Sequence, residues 1–94
     1  MSETIWKFPL QVADFQEVQM PKGAAVLCVQ TQGETPCLWA QVDPSAETIR
    51  RAFKMYGTGH KIKEDGFEHY VGTFQIRSGT LVFHVFTDRA EVSL

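Results

Sequence analysis

The sequence predicts an all-β fold, a small antiparallel β-barrel or sandwich of six to seven strands. Three observations carry that expectation. β-branched and aromatic residues come in short runs, the runs alternate with period two rather than at helical spacing, and clusters such as Met20-Pro21-Lys22-Gly23, Asp43-Pro44-Ser45 and Ser78-Gly79 separate them. Such clusters favour turns because Pro presets φ, Gly tolerates positive φ, and Asp or Ser bonds its own backbone.

The first strand is expected over Thr4 to Leu10, with Trp6, Phe8 and Leu10 on one side, Lys7 on the other, and a stop near Pro9. Trp6 and Trp39 read most simply as core anchors, with the lining of a shallow ligand pocket as the alternative for either. A shorter, more polar strand spans Phe15 to Met20. Pro21 and Gly23 then take the second and fourth positions of a type I turn. Ala24 to Gln30 and Pro36 to Val42 are apolar on both faces, as central, doubly covered strands are. A hairpin closing on Gln32-Gly33 puts Cys28 opposite Cys37, where a cross-strand disulfide is geometrically conceivable; in a reducing compartment the plainer reading is two free, small apolar residues. Asp43-Pro44-Ser45 is a turn that could cap one helical turn through Glu47. In the strand that follows, Ile49, Arg51, Phe53 and Met55 share one face, and Arg50, Ala52, Lys54 and Tyr56 the other. Gly57 to Gly66 is the longest loop. The last hairpin runs from His69 to Arg77, turns at Ser78-Gly79 and returns through Thr80 to Phe86, pairing Phe74 with Phe83, Ile76 with Leu81, Gly72 with Val85, Thr73 with His84, Gln75 with Val82 and Val71 with Phe86. Residues 87–94 read as a tail.

With 94 residues and 44% hydrophobic content, the chain makes one domain over 1–94 with its core in 4–86. A domain this small with exposed strand edges is compatible with a homodimer or a larger ring. The start Met1-Ser2-Glu3-Thr4-Ile5-Trp6-Lys7 lacks the basic and apolar regions of a signal peptide, and no apolar stretch approaches the roughly 20 residues of a membrane span. The expectation is a soluble intracellular protein without a membrane partner. A net charge of −2 argues against a general grip on nucleic acid, which needs many exposed cations.

The charge is nevertheless patterned. Thr48 to Lys63 holds Arg50, Arg51, Lys54, Lys61 and Lys63 with no Asp or Glu. Within it, Tyr56-Gly57-Thr58-Gly59-His60 combines an aromatic, two permissive glycines, a hydroxyl and an imidazole. These residues form a candidate ligand site for an anion or nucleotide, with Arg50, Arg51 and Lys61 as counter-charges. The stretch is neither a Walker loop nor a three-glycine dinucleotide fingerprint, and a glycine-rich strand exit with solvated cations is its plain structural reading. The face carrying Val71, Thr73, Gln75, Val82, His84 and Phe86 is half apolar and half polar, a composition suited to an interface or to a second layer of the same domain.

Catalysis is not expected. There is no G-x-S-x-G elbow, Cys28 and Cys37 sit in apolar strands that disfavour a thiolate, and Glu64, Asp65 and Glu68 lie in a polar loop that does not raise a carboxyl pKa. His60, His69 and His84 lack metal-ligand spacing, so neither a metal nor a cofactor is expected.

Thr4-Ile5-Trp6-Lys7-Phe8-Pro9-Leu10, Met20-Pro21-Lys22-Gly23-Ala24, Cys37-Leu38-Trp39-Ala40, Tyr56-Gly57-Thr58-Gly59-His60, Gly72-Thr73-Phe74-Gln75 and Leu81-Val82-Phe83-His84-Val85-Phe86 together make the chain resemble a family of small uncharacterised tailed-bacteriophage proteins. The resemblance spans nearly residues 4 to 86 and offers no catalytic residues. It implies a viral protein made in the host bacterial cytoplasm. The expected role is counter-defence, as an inhibitor of a host immune protein or a sequestrant of a nucleotide second messenger; the alternative is a minor structural or assembly protein of the phage particle.

Overall fold

The computed structural model describes residues 2–88 and 90–93. Among them there is no helix, and the strands form two antiparallel sheets. The first sheet has the order β1 (Thr4–Pro9), β4 (Thr35–Val42), β3 (Ala25–Gln32). The second runs β2 (Phe15–Pro21), β5 (Thr48–Gly57), β7 (Leu81–Thr87), β6 (His69–Ile76), and a two-residue β8 (Val92–Ser93) also pairs with β5. The sheets do not join into a closed barrel, so the architecture is sandwich-like.

The core lies between the sheets. Leu38 and Val42 of β4, Met20 of β2, Ile49 and Phe53 of β5 and Val85 of β7 are buried there. Each belongs to the inward parity of its strand, so the period-two pattern selects the buried face. Where β6 passes β3 the backbones come close: a Cβ on Gly72 would stand 2.7 Å from Val29 Cγ1.

Several local expectations shift by a residue. Ala24 N donates to Pro21 O at 3.1 Å, so the turn spans Pro21–Ala24 and Gly23, at φ 80°, fills the third position, as in a type II turn. The next hairpin turns at Gly33-Glu34, with Gln32 opposite Thr35. That slip sets Cys37 against Gln30 and Cys28 against Trp39, and both cysteines are free. β3 is an edge strand, not a central one, and Leu27 is 51% exposed at its bulge. Trp6 is no core anchor either: it is 41% exposed on edge strand β1. Asp43-Pro44-Ser45 forms a turn in which Ala46 N donates to Asp43 O, and no helical turn follows.

The Ser78-Gly79 turn has positive φ at both residues, and the pairing of Gly72 with Val85 through Ile76 with Leu81 is as expected. Beyond Gly72 a bulge intervenes. Tyr70, not Val71, sits opposite Phe86, and Val71 packs partly against the core. Of the segment read as a tail, Arg89 and Leu94 lie outside the described residues, while β8 lies against Ile49 and Arg50. Glu91 Oε2 there accepts a hydrogen bond from Gly23 N at 2.7 Å.

Candidate functional site

β5 ends at Gly57, and the chain from Thr58 turns back over the neighbouring strand β7. Thr58 N donates to Val82 O at 3.2 Å and His60 N to Gly57 O at 3.0 Å, which pins the loop to the sheet. Gly59 has φ 89°, a conformation that side chains rarely adopt. Gly57 contributes in a different way. Its missing Cβ would stand 3.0 to 3.3 Å from three atoms of the His60 ring, so the imidazole lies over the bare glycine.

The loop and the outer sheet face meet in one cleft of about 260 Å³, which Tyr56, Thr58, Ile62, Tyr70, His84 and Phe86 line with Gly57, Gly59 and His60. Its aromatic wall is held by edge contacts: Phe86 has Tyr56 at 5.9 Å and Tyr70 at 5.5 Å between centroids. Beside it runs a hydrogen-bonded chain. His84 Nε2 bonds Thr58 Oγ1 at 2.8 Å, His84 Nδ1 bonds Thr73 Oγ1 at 2.9 Å, and Thr73 Oγ1 bonds the Tyr70 hydroxyl. In a neutral imidazole one nitrogen donates and the other accepts, so the chain has a direction. Run one way, it leaves the Tyr70 proton for a ligand acceptor; run the other way, it leaves that of Thr58.

The Thr58–His84 pair has the outline of a nucleophile and its base. The group behind the imidazole is the Thr73 hydroxyl, where a catalytic triad places a carboxylate. Among the described residues no three His, Cys, Asp or Glu come together as metal ligands.

A second cleft of about 350 Å³ adjoins the first, sharing Tyr56 and His60 and adding Asp14, Phe15, Lys54, Met55, Lys61 and Lys63. Lys54 Nζ forms an ion pair with Asp65 and lies 4.8 Å from the Phe67 ring centroid; Phe67 in turn meets Phe15 edge-on at 6.2 Å. The loop over 58–68 is thereby strapped to β5 and β2. The hydrogen bond to Asp65 holds the Lys54 ammonium above its ordinary value, and the same bond holds the Asp65 carboxyl below the usual carboxylate range.

A depressed carboxyl contributes stability above its unfolded pKa and loses it as pH falls through the folded value; a raised ammonium contributes below its unfolded pKa and loses it as pH rises through the folded one. The contribution of the strap is therefore complete between 3.8 and 10.5, the ordinary values of the two groups, and is lost outside that window as pH falls through the lowered Asp65 value or rises through the raised Lys54 value. The protection of amides over 58–68, referred to the intrinsic exchange rate at each pH, should fall in acid as Asp65 protonates, and Asp65→Asn should remove that acid transition. An Asp65 carboxyl titrating at its ordinary value would show that no strap exists.

The structure brings Tyr56, Gly57, Thr58, Gly59 and His60 together with His84 and Phe86, so residues expected in two separate sites share one. Lys61 stands in the adjoining cleft. Arg50 and Arg51 are toward the far end of β5, roughly 17–20 Å from Tyr56 at ~3.3 Å per residue. Arg50 pairs with Glu17 at 3.5 Å, and Arg51 Nη1 donates to Ala24 O at 3.3 Å. Val71 lines a groove with Arg51 on the other side of the bulge, Gln75 is near the hairpin tip, and Val82 lies under Thr58. Sequence reasoning missed Tyr70 and Ile62. Gly72 was the available signal for the first, since glycine inside a strand marks a bulge that reverses parity; an isolated apolar residue in a polar loop was the signal for the second.

No curated protein and no solved structure matches the chain. A family match extends over residues 1–93, to the Domain of unknown function (DUF7352), and so takes in both sheets and both clefts. The protein belongs to the DUF7352 family.

Proposed function

We propose that the protein is a non-enzymatic binding protein that captures a small ligand of nucleotide class, with the base in the cleft between the Gly57–His60 loop and β7. The observation that carries this reading is the meeting of loop and sheet face: three aromatic rings form one wall, and two hydroxyls and an imidazole form a directional hydrogen-bonding rim. A stacked base gains roughly 1–3 kcal/mol on an aromatic platform regardless of its identity, and a polar rim reads its edge. A cleft of this volume sits at the small end for ligand sites, which suits one ring system rather than a whole nucleotide.

On the phage setting that the family resemblance implies, the physiological ligand in this proposal is a nucleotide immune signal of the host, and the role is its sequestration in the bacterial cytoplasm. Blocking a host immune protein through the outer face, or serving as a minor particle component, predicts no response to small ligands. Adenosine, guanosine and their monophosphates should raise the melting temperature, by several degrees at ligand well above Kd. They should also shift the ring resonances of His84, Tyr56 and Tyr70 saturably. Gly57→Ala, whose methyl would press on the His60 ring from 3.0 Å and shift it, should weaken that response with little change in the free protein. No shift with any of the four compounds, or their hydrolysis during incubation, would overturn the proposal.

A further inference from the structure

The nucleotide-class reading leaves the negative charge of the ligand without a partner in the first cleft. The N–H groups of Thr58 and His60 donate within the fold, and Arg50 and Arg51 are engaged far down β5. Lysines, by contrast, gather in the adjoining cleft. Lys54, Lys61 and Lys63 line it with His60, opposed by Asp14, and the Tyr56 hydroxyl is buried without a hydrogen-bond partner among the described residues.

We propose that the Lys54–Lys61–Lys63 cleft is a phosphate-binding site, and that Asp65, which pairs with Lys54 at its edge, is a competing carboxylate that holds Lys54 until a ligand phosphate displaces it. This rests on the nucleotide-class reading of the neighbouring aromatic cleft. Tyr56 and His60 belong to both clefts, so a base on the Tyr56–Phe86 wall has its phosphate within reach of the lysines. Asp65 presents to Lys54 the same anionic oxygen chemistry a phosphate would, from the loop that also carries Lys61 and Lys63. Exchange of one anion for the other keeps Lys54 paired while it releases the strap over 58–68. Binding of the charged end and opening of the loop are thereby one event.

The test uses pyrophosphate for the charged end and adenosine for the base, titrated separately by NMR into the full chain and its variants. Asp65→Asn should tighten pyrophosphate by about two- to fivefold, the range that loss of a competing surface ion pair carries. Lys54→Gln should abolish pyrophosphate binding while adenosine still binds, if more weakly where release of the loop loosens the Thr58–Ile62 side of the first cleft. Glu64→Gln makes the same charge change one residue away without touching Lys54, and should leave pyrophosphate affinity as in the unaltered chain; equal tightening there would reduce the effect to net charge and overturn the inference. So would unchanged or weaker pyrophosphate binding in Asp65→Asn. Adenosine that still binds in that case preserves the aromatic-cleft reading, whereas adenosine that never binds, with pyrophosphate behaving as expected, sinks that reading and leaves the anion site standing. Thermal melts of each variant confirm that a lost signal is not lost fold.

Discussion

Phe53→Ala should cost about 3–5 kcal/mol, the range for truncating a buried aromatic. Phe53 is 0% exposed and stands at a junction: it pairs with Gln16 of β2 on one side and Thr87 of β7 on the other. Thr87 Oγ1 donates to Ala52 O at 2.6 Å, so the ladder beside Phe53 is also locked by a side chain. Nothing can collapse into the space without breaking one of the two ladders. For a single domain with a total stability of about 5–15 kcal/mol, this one change removes a large fraction. Urea denaturation measures it as a lower midpoint. Phe15→Ala is the control, since Phe15 is 51% exposed and touches only the Phe67 edge among aromatic rings; it should cost under about 1 kcal/mol. Similar losses for the two would mean that the inner face of β5 is not the centre of the core.

Phe53 was legible as a core residue because alternation is a direct consequence of strand geometry, and β5 has no bulge within it. The last hairpin was legible for the same reason from Gly72 to Ile76, where turn chemistry at Ser78-Gly79 fixes the register. What failed was counting across an irregularity. One residue of slip at Gly33 displaced Cys37 from Cys28, and one bulged residue at Val71 exchanged it for Tyr70 on the outer face. The bulge at Val71 inverts the period-two pattern, whereas moving the Gly33 turn by one residue shifts each partner by two and keeps its face.

The site was half legible. Tyr56 to His60 was marked by composition, and His84 and Phe86 by the mixed character of their face, but their union depends on β5 and β7 being neighbours, a pairing that sequence distance conceals. Charge misled in the opposite direction. Arg50, Arg51, Lys54, Lys61 and Lys63 are close in sequence, yet an extended strand carries the arginines away from the loop, and only the lysines gather at its end.

Gly72→Ala should destabilise the fold by about 1–3 kcal/mol, the usual cost of overpacking, and lower the melting temperature by about 4–8 °C per kcal/mol. The added methyl would meet Val29 Cγ1 at 2.7 Å and Val29 N at 3.4 Å. Val29 is 3% exposed and β-branched, so its Cγ1 has no free rotamer to retreat into. Relief must come from moving β6 away from β3. The bulge that turns Tyr70 toward Phe86 lies immediately before Gly72, so the same displacement should disturb the aromatic wall of the cleft. Val29→Ala makes room for the methyl. The double variant should therefore lose less stability than the two single changes added together, and the Tyr70 ring resonances should return toward their original positions. Strict additivity would mean that β3 and β6 do not press on each other, and that the cleft wall is set by β6 and β7 alone.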